Sequence, residues 1–348
     1  MANMPNIPIR AAVLRTPGRP LKIERLEMEG PRDDEVLVRV RRIGVCGSDI
    51  HVYHGKHPYT TYPVVQGHEV AGTVDSMGAG VREFAAGDRV VFMPQVTCGV
   101  CYPCRQGMYH ICDHLRVMGF QTGGAAQDYV PARAAVALKV PEPVSLDQAA
   151  MIEPLAVAVH ALSRFGGVRG KGVAVLGAGT IGNLVAQAAR ASGAKCVLIT
   201  DVSEYRLEKA RRVGFPLVVD RRREDLGEAW KAFGPDGADV ILECAGSPEA
   251  MADAIRHARK GSMVVVVGGF GTPPAVDLGL VQDRELVLAG SAMYRKNDWE
   301  AAIAMAASGA IEFDELITHR FAFEDYPAAY KTIDEAGGNI MKVIISLD

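Results

Sequence analysis

The rhythm of apolar and polar positions changes near the middle of the chain. Residues 9–14, 35–43 and 64–74 alternate or run apolar between Gly/Pro turns, which predicts short strands. No long amphipathic helix is legible before Leu146, so this first part reads as mostly β, a barrel or a sandwich. Past Ala158 apolar runs alternate with helical segments instead. Residues 173–176, 195–200, 217–220, 238–244, 263–268 and 285–289 supply six strand-like runs, which suits a doubly wound parallel sheet. From Ser291 the chain is expected to return to the first domain, with a helix over 299–308 and a closing strand over 342–347. At 348 residues the chain is too long for one ordinary core. The resulting α/β division is 1–158, 159–292 and 293–348.

The run Val173-Ala174-Val175-Leu176-Gly177-Ala178-Gly179-Thr180-Ile181-Gly182 predicts a buried strand, a tight turn and then a helix. Gly177 permits the turn, Gly179 lets a pyrophosphate reach the backbone, and Gly182 allows close helix–strand packing. The helix start, with Thr180 and Ile181, offers N–H groups and a positive dipole end to phosphates. A second apolar run ends at Asp201, about twenty positions on, where a carboxylate would accept both ribose hydroxyls of NAD. The same carboxylate would repel a 2′-phosphate, which favours NAD over NADP; Asp201 could also cap the next helix. Val267-Gly268-Gly269 ends a later strand at the carboxyl edge, where the nicotinamide is expected.

Composition narrows the class. The chain is 49% hydrophobic and 23% charged, with a formal net charge of −3. That balance gives no electrostatic reason to expect a nucleic-acid or anionic-membrane partner. No apolar run approaches the ~20 residues needed to span a bilayer. The first ten residues carry Pro5 and Pro8 and lack the apolar centre of a signal peptide. A soluble cytoplasmic protein is expected.

Seven cysteines are unevenly placed. Cys196 and Cys244 lie in apolar strand patterns and read as small core residues. Cys98, Cys101, Cys104 and Cys112 crowd into a lobe at about 95–113, a spacing better suited to metal than to disulfides in a reducing compartment. Four thiolates can close tetrahedrally on one zinc and pin a loop with too little apolar surface to fold alone. An iron–sulfur cluster uses the same ligand set. Upstream stand Gly44-Val45-Cys46-Gly47-Ser48-Asp49-Ile50-His51 and Gly67-His68-Glu69-Val70-Ala71-Gly72. Thiolate, imidazole and carboxylate are ligands zinc accepts. Singly, Cys46 also reads as a small buried hydrophobe, His68 as a satisfied strand-end histidine and Glu69 as a surface carboxylate.

Taken together, these motifs and Glu153-Pro154-Leu155-Ala156 resemble the zinc-containing medium-chain alcohol and polyol dehydrogenases over nearly the whole chain. The resemblance implies a GroES-like catalytic domain and a Rossmann domain. It matches Cys46 and His68 to catalytic zinc ligands, and Glu69 to a carboxylate that ligates zinc or moves in and out of its shell. Glu153 stands where simple alcohol dehydrogenases place a second cysteine; a glutamate there is typical of the sorbitol dehydrogenase-like branch and meets the metal directly or through water. With fewer thiolates the site is harder, which suits a stronger Lewis acid and a polyol. Ser48 and His51 match a proton relay, and Arg206 a residue flanking the adenosine. Two positions depart from animal sorbitol dehydrogenases: Val52 replaces a tyrosine, and Tyr294-Arg295 stands where those enzymes carry Arg-Tyr.

The implied activity is zinc-dependent hydride transfer from a secondary hydroxyl of a polyol to NAD, with one catalytic and one structural zinc. The implied assembly is a homodimer or homotetramer. An L-threonine dehydrogenase-like or simple secondary-alcohol enzyme is the nearest alternative. A non-catalytic zinc-ribbon module joined to a nucleotide-binding domain is a more distant one, and it would leave Cys46, His68 and Glu153 without a role.

Overall fold

The computed structural model describes residues 6–348; the expectation for the first ten residues falls partly outside them. The chain divides into two compact units, residues 6–153 with 317–348, and residues 154–316. The return to the first unit therefore comes at Ile317 and not at 293. The physical reason lies in the helix Lys296–Ala307, whose buried Asp298 meets His160 Nδ1 at 2.8 Å and whose Trp299 is fully buried. These contacts hold the helix in the second unit.

The first unit is β-rich. Its main sheet runs in the order Ala137–Lys139, Arg89–Phe92, Glu69–Met77, Glu35–Val45, Lys342–Ser346 and Ile317–Ala322, and Tyr129–Arg133 also pairs with Glu35–Val45. A smaller sheet joins Lys22–Met28, Ile7–Leu14 and Val64–Val65. Alternating patterns become half-buried strands here, while the central Glu35–Val45 buries Val36, Leu37, Val38, Val40 and Ile43. The run 64–74, expected as one strand, is broken into Val64–Val65 and Glu69–Met77. Gly67 adopts φ +93°, and a β-carbon there would sit 3.1 Å from the Ala126 nitrogen, so no straight strand can pass through it. The break leaves His68 at a strand entrance.

The second unit carries six parallel strands in the order Leu217–Asp220, Cys196–Asp201, Gly172–Leu176, Val240–Glu243, Met263–Val266 and Val287–Gly290. Numbered along the chain this is 3-2-1-4-5-6, the doubly wound arrangement. Its first strand is buried throughout because helices cover both faces. Leu198, Ile241, Ala254, Val264 and Trp230 pack one side of the sheet. Cys196 and Cys244, expected in the core, are only partly buried. Among the described residues no helix is long and apolar enough to cross a membrane.

Candidate active site

Register in the main sheet builds the first cluster. Glu35–Val45 lies antiparallel to both Glu69–Met77 and Lys342–Ser346, with Gly44 opposite Glu69 and Val45 opposite Val343. The end of the central strand, where Cys46 follows, thus meets the starts of its two neighbours. Cys46 then opens the helix Gly47–Tyr53, and its N–H donates to Asp49 Oδ2 at 2.9 Å. The other Asp49 oxygen stands 3.3 Å from His68 Nδ1, with both side chains buried. A carboxylate on one ring nitrogen fixes the tautomer and leaves the other nitrogen for a metal. Ligand atoms of Cys46, His68 and Glu69 all lie within 4.8 Å of one another. Burial opposes a charge on His68, but Asp49 and Cys46 outweigh it and lift the imidazole well above its ordinary pKa.

Lys342 completes this cluster from far away in the chain. Its Nζ lies 2.6 Å from each oxygen of Glu69 and donates to the Val45 carbonyl at 3.2 Å. Burial works against the ammonium, yet Glu69 and Cys46 hold its pKa above the ordinary value. Neither Lys342 nor Asp49 was singled out in the sequence. Asp49 had a signal, three positions past Cys46 in a glycine-flanked motif; Lys342 had none beyond opening an apolar strand.

Glu153 is buried in the first turn of the helix Ile152–Ser163. It is not one of the three groups whose ligand atoms converge, though its charge acts on Lys342. Ser48 and His51 lie on the helix Gly47–Tyr53 and are exposed. Nearby, His57 stacks on Phe120 at 4.7 Å, and Phe120 packs against His68 at 4.9 Å. Burial, with His51 and His68, pushes the His57 pKa down.

The second cluster is local. The sulfurs of Cys98, Cys101, Cys104 and Cys112 also converge within 4.8 Å, and all four thiols are free. Cys112 Sγ lies 3.5 Å from Cys98 Sγ and 3.7 Å from Cys101 Sγ. Zn–S bonds of about 2.3 Å would put the sulfurs of a tetrahedron about 3.8 Å apart, so the spacing fits one ion better than a larger cluster. Backbone N–H groups of Cys98, Cys101 and His114 point at these sulfurs. The N–H groups of Val100 and Cys101 lower the Cys98 pKa to about 6, while burial and neighbouring thiols push Cys104 up to about 12. Four thiols so close cannot all ionise without a cation, so the residues present fit a metal here as well.

In the second unit, Gly177 has φ +106°, and a β-carbon there would sit 2.7 Å from the Ala245 nitrogen. A β-carbon on Gly182 would sit 1.7 Å from the Gly177 oxygen, while one on Gly179 would meet nothing within 4 Å. The turn is thus forced at its ends and open in the middle, and Thr180 and Ile181 begin the helix Thr180–Ala191. Asp201 accepts the N–H groups of Ala178 at 2.7 Å, Val202 at 2.7 Å and Ser203 at 2.8 Å. Ser203, not Asp201, is the cap of the next helix. Arg206 approaches Asp201 at 3.7 Å, and both line a cavity of about 220 Å³ with Gly177, Thr200, Arg221 and Asp253. Val267 and Gly268 donate to the Glu243 carbonyl, both at 2.9 Å, and Gly269 follows in the loop. Tyr294 is fully buried, its ring edge-on to Trp299 at 5.3 Å, and Arg295 precedes the helix Lys296–Ala307.

Two family models match the chain, the alcohol dehydrogenase GroES-like domain over residues 32–142 and the zinc-binding dehydrogenase over 180–308. The chain is 32% identical over 343 residues to sorbitol dehydrogenase of Bacillus subtilis (strain 168), covering 97% of each. It is 35% identical over 326 residues to L-threonine 3-dehydrogenase of Pseudoalteromonas atlantica, covering 92% of this chain and 94% of that one. A zinc-binding dehydrogenase of Sinorhizobium meliloti 1021, solved with NADP, superposes with a TM-score of 0.89 at 32% identity, over 98% of this chain and all of that one. The chain belongs to the zinc-containing medium-chain alcohol and polyol dehydrogenases. It is an oxidoreductase acting on CH–OH groups of small molecules, with a nicotinamide cofactor and zinc. The non-catalytic module reading falls with that membership.

Proposed function

We propose that this enzyme oxidises a secondary hydroxyl of a polyol, a sugar alcohol or cyclitol, to the ketone, with NAD as hydride acceptor. The observation that carries this reading is the convergence of Cys46, His68 and Glu69 outside the four-cysteine lobe. Cys46 and His68 hold the catalytic zinc, with Glu69 and Glu153 as carboxylates in or next to its shell; Cys98, Cys101, Cys104 and Cys112 hold a structural zinc. Bound zinc supplies Lewis acidity that lowers the pKa of an alcohol oxygen toward neutrality. Asp49 orients His68 from behind. Ser48 and His51, both exposed on one short helix, carry the released proton toward solvent.

Gly177, Gly179, Thr180, Ile181 and Gly182 receive the pyrophosphate, Asp201 and Arg206 the adenosine ribose, and Val267, Gly268 and Gly269 the nicotinamide side. Asp201 supports NAD over NADP, since its charge opposes a 2′-phosphate. The relative that acts on L-threonine favours that substrate as the second reading. We place the enzyme in the cytoplasm as a homodimer or homotetramer; the edge strand Val287–Gly290, with Val287 and Leu288 exposed, supports assembly through that edge.

The test is zinc-dependent reduction of NAD and of NADP across polyols, cyclitols, L-threonine and simple secondary alcohols. Turnover with one polyol group and NAD is expected. Turnover with L-threonine alone would replace the polyol reading, and equal use of NADP would overturn the reading of Asp201. Asp201→Ala is expected to shift the NAD/NADP ratio of kcat/KM by about tenfold, roughly 1.4 kcal/mol.

A further inference from the structure

Gln66 is a fully buried amide bonded at both ends. Its Nε2 donates to the Asp49 carbonyl at 2.9 Å, and its Oε1 accepts the Tyr330 hydroxyl at 3.1 Å. Gln66 stands two positions before His68, and Asp49 three after Cys46, so the amide joins the two segments that carry those side chains. Tyr330 lies buried on the helix Tyr326–Glu335, with Tyr326 stacked on its ring at 5.6 Å and Tyr53 edge-on at 5.3 Å. The backbone around Gln66 is pinned as well. Gly124, Ala125 and Ala126 donate N–H groups to the carbonyls of Val65, Gly67 and Gln66 at 2.7, 2.9 and 2.8 Å. A β-carbon on Gly124 would fall 2.3 Å from the Gln66 carbonyl oxygen. A buried polar group left without a partner costs its full desolvation, so such an amide is stable only while both of its bonds persist. A satisfied buried network of this kind holds its members in one arrangement.

We propose that Gln66 and Tyr330 are positioning residues for the catalytic zinc site, tying the Cys46–Asp49 segment to the Gly67–His68 segment. This rests on the reading of Cys46 and His68 as zinc ligands. The Tyr330 hydroxyl fixes the amide, and the amide holds the Asp49 backbone at a set distance from the His68 segment. The Asp49 carboxylate, 3.3 Å from His68 Nδ1, keeps its place behind the imidazole for that reason. Cys46, whose N–H donates to the same carboxylate at 2.9 Å, is carried with it. Loss of such outer contacts typically costs about 10–100-fold in metal affinity. Removing the Tyr330 hydroxyl leaves its ring packed but strips one end of the amide, so the ligands lose their spacing while the core stays filled. A residue that only fills the core would change stability and leave the metal alone.

The experiment measures zinc retention against a chelator, the visible spectrum of the cobalt-substituted enzyme, and Tm. It uses the wild type, Tyr330→Phe, Gln66→Met and the double variant. Tyr330→Phe is expected to hold its catalytic-site zinc at least about tenfold more weakly and to shift the cobalt bands, with zinc at the four-cysteine lobe unaffected. Gln66→Met is expected to do the same, and Tyr330→Phe to add nothing to it. Tyr62→Phe is the control, since that hydroxyl donates to the Val52 carbonyl at 2.6 Å, on the same helix as Asp49. It is expected to leave zinc affinity and the cobalt bands unchanged. Three results would each overturn the proposal: a lower Tm in Tyr330→Phe with zinc and cobalt bands unchanged, additive losses in the double variant, or equal loosening in Tyr62→Phe. If Tyr330→Phe does not fold, Gln66→Met decides alone, and zinc affinity within about threefold of wild type would overturn the proposal. Cys46→Ala run in parallel separates the two failures. If it does not remove a zinc ion, the reading of the catalytic site fails; if it does and Tyr330→Phe holds zinc as the wild type does, only the positioning role fails.

Discussion

The two metal-capable clusters are built in opposite ways. The four cysteines come from fifteen residues of chain, on a lobe with little core of its own, where Val100 and Tyr102 are exposed. Cys46, His68 and Glu69 come from two strand ends that meet in the main sheet, are largely buried, and are backed by Asp49 and by Lys342, which lies 273 positions from Glu69. The first cluster offers four equivalent donors, and an ion held by all four would have no open position and do little but hold a loop. The second offers three unlike donors and surrounds them with buried charge. A local site needs only spacing, whereas an open one needs a fold that restrains its carboxylates.

The largest test of that contrast removes ligands on each side. Cys46→Ala or His68→Ala is expected to bring turnover to background and release one zinc ion per chain, with circular dichroism unchanged. Retained turnover would remove the catalytic role of the buried cluster. Cys98→Ser is expected to act on stability instead, lowering Tm by about 5 °C or more, as a loss of ~2 kcal/mol would in a unit of this size. An unchanged Tm would mean that the lobe needs no metal.

Smaller effects probe the supports. Asp49→Asn keeps an acceptor for the Cys46 N–H but loses the charge facing His68; zinc at the buried cluster is expected to weaken by about 10–100-fold, and zinc at the lobe to be unaffected. Equal weakening at both would show that Asp49 serves the fold and not the ligand. The smallest effect concerns Asp147, whose oxygens bind Arg42 on the Cys46 strand and Arg320 on the returning strand, each at 2.6 Å. Burial works against its charge, but the two arginines outweigh that and hold its pKa below the ordinary carboxylate value. A lowered folded pKa stabilises above the unfolded value, and the gain is lost as pH falls through the folded one. Asp147→Asn is therefore expected to cost about 1–3 kcal/mol at neutral pH, measured by urea unfolding, with the difference from wild type shrinking below about pH 4.

Much of this molecule is legible in its residues. The inner parallel strands appear as apolar runs because a strand covered on both faces, as Gly172–Leu176 and Val240–Glu243 are, must be apolar throughout. The glycine turn is readable because Gly177 and Gly182 sit where any β-carbon would strike backbone. The cysteine lobe is readable because its four thiols are near neighbours in sequence. The first helix, Gly47–Tyr53, escapes notice because seven residues leave too little periodicity to separate it from a loop. The return at Ile317 escapes because it depends on where the helix Lys296–Ala307 finds burial, not on its own pattern.

The sequence by itself determined the metal-capable residue types, the glycine turn and the order of the elements, since each rests on residue chemistry and short-range spacing. Only the tertiary structure decided that Asp49 faces His68 and that Lys342 takes Glu69. Those pairings come from the register of antiparallel strands, and a register joins residues by their place in a sheet, whatever their distance along the chain.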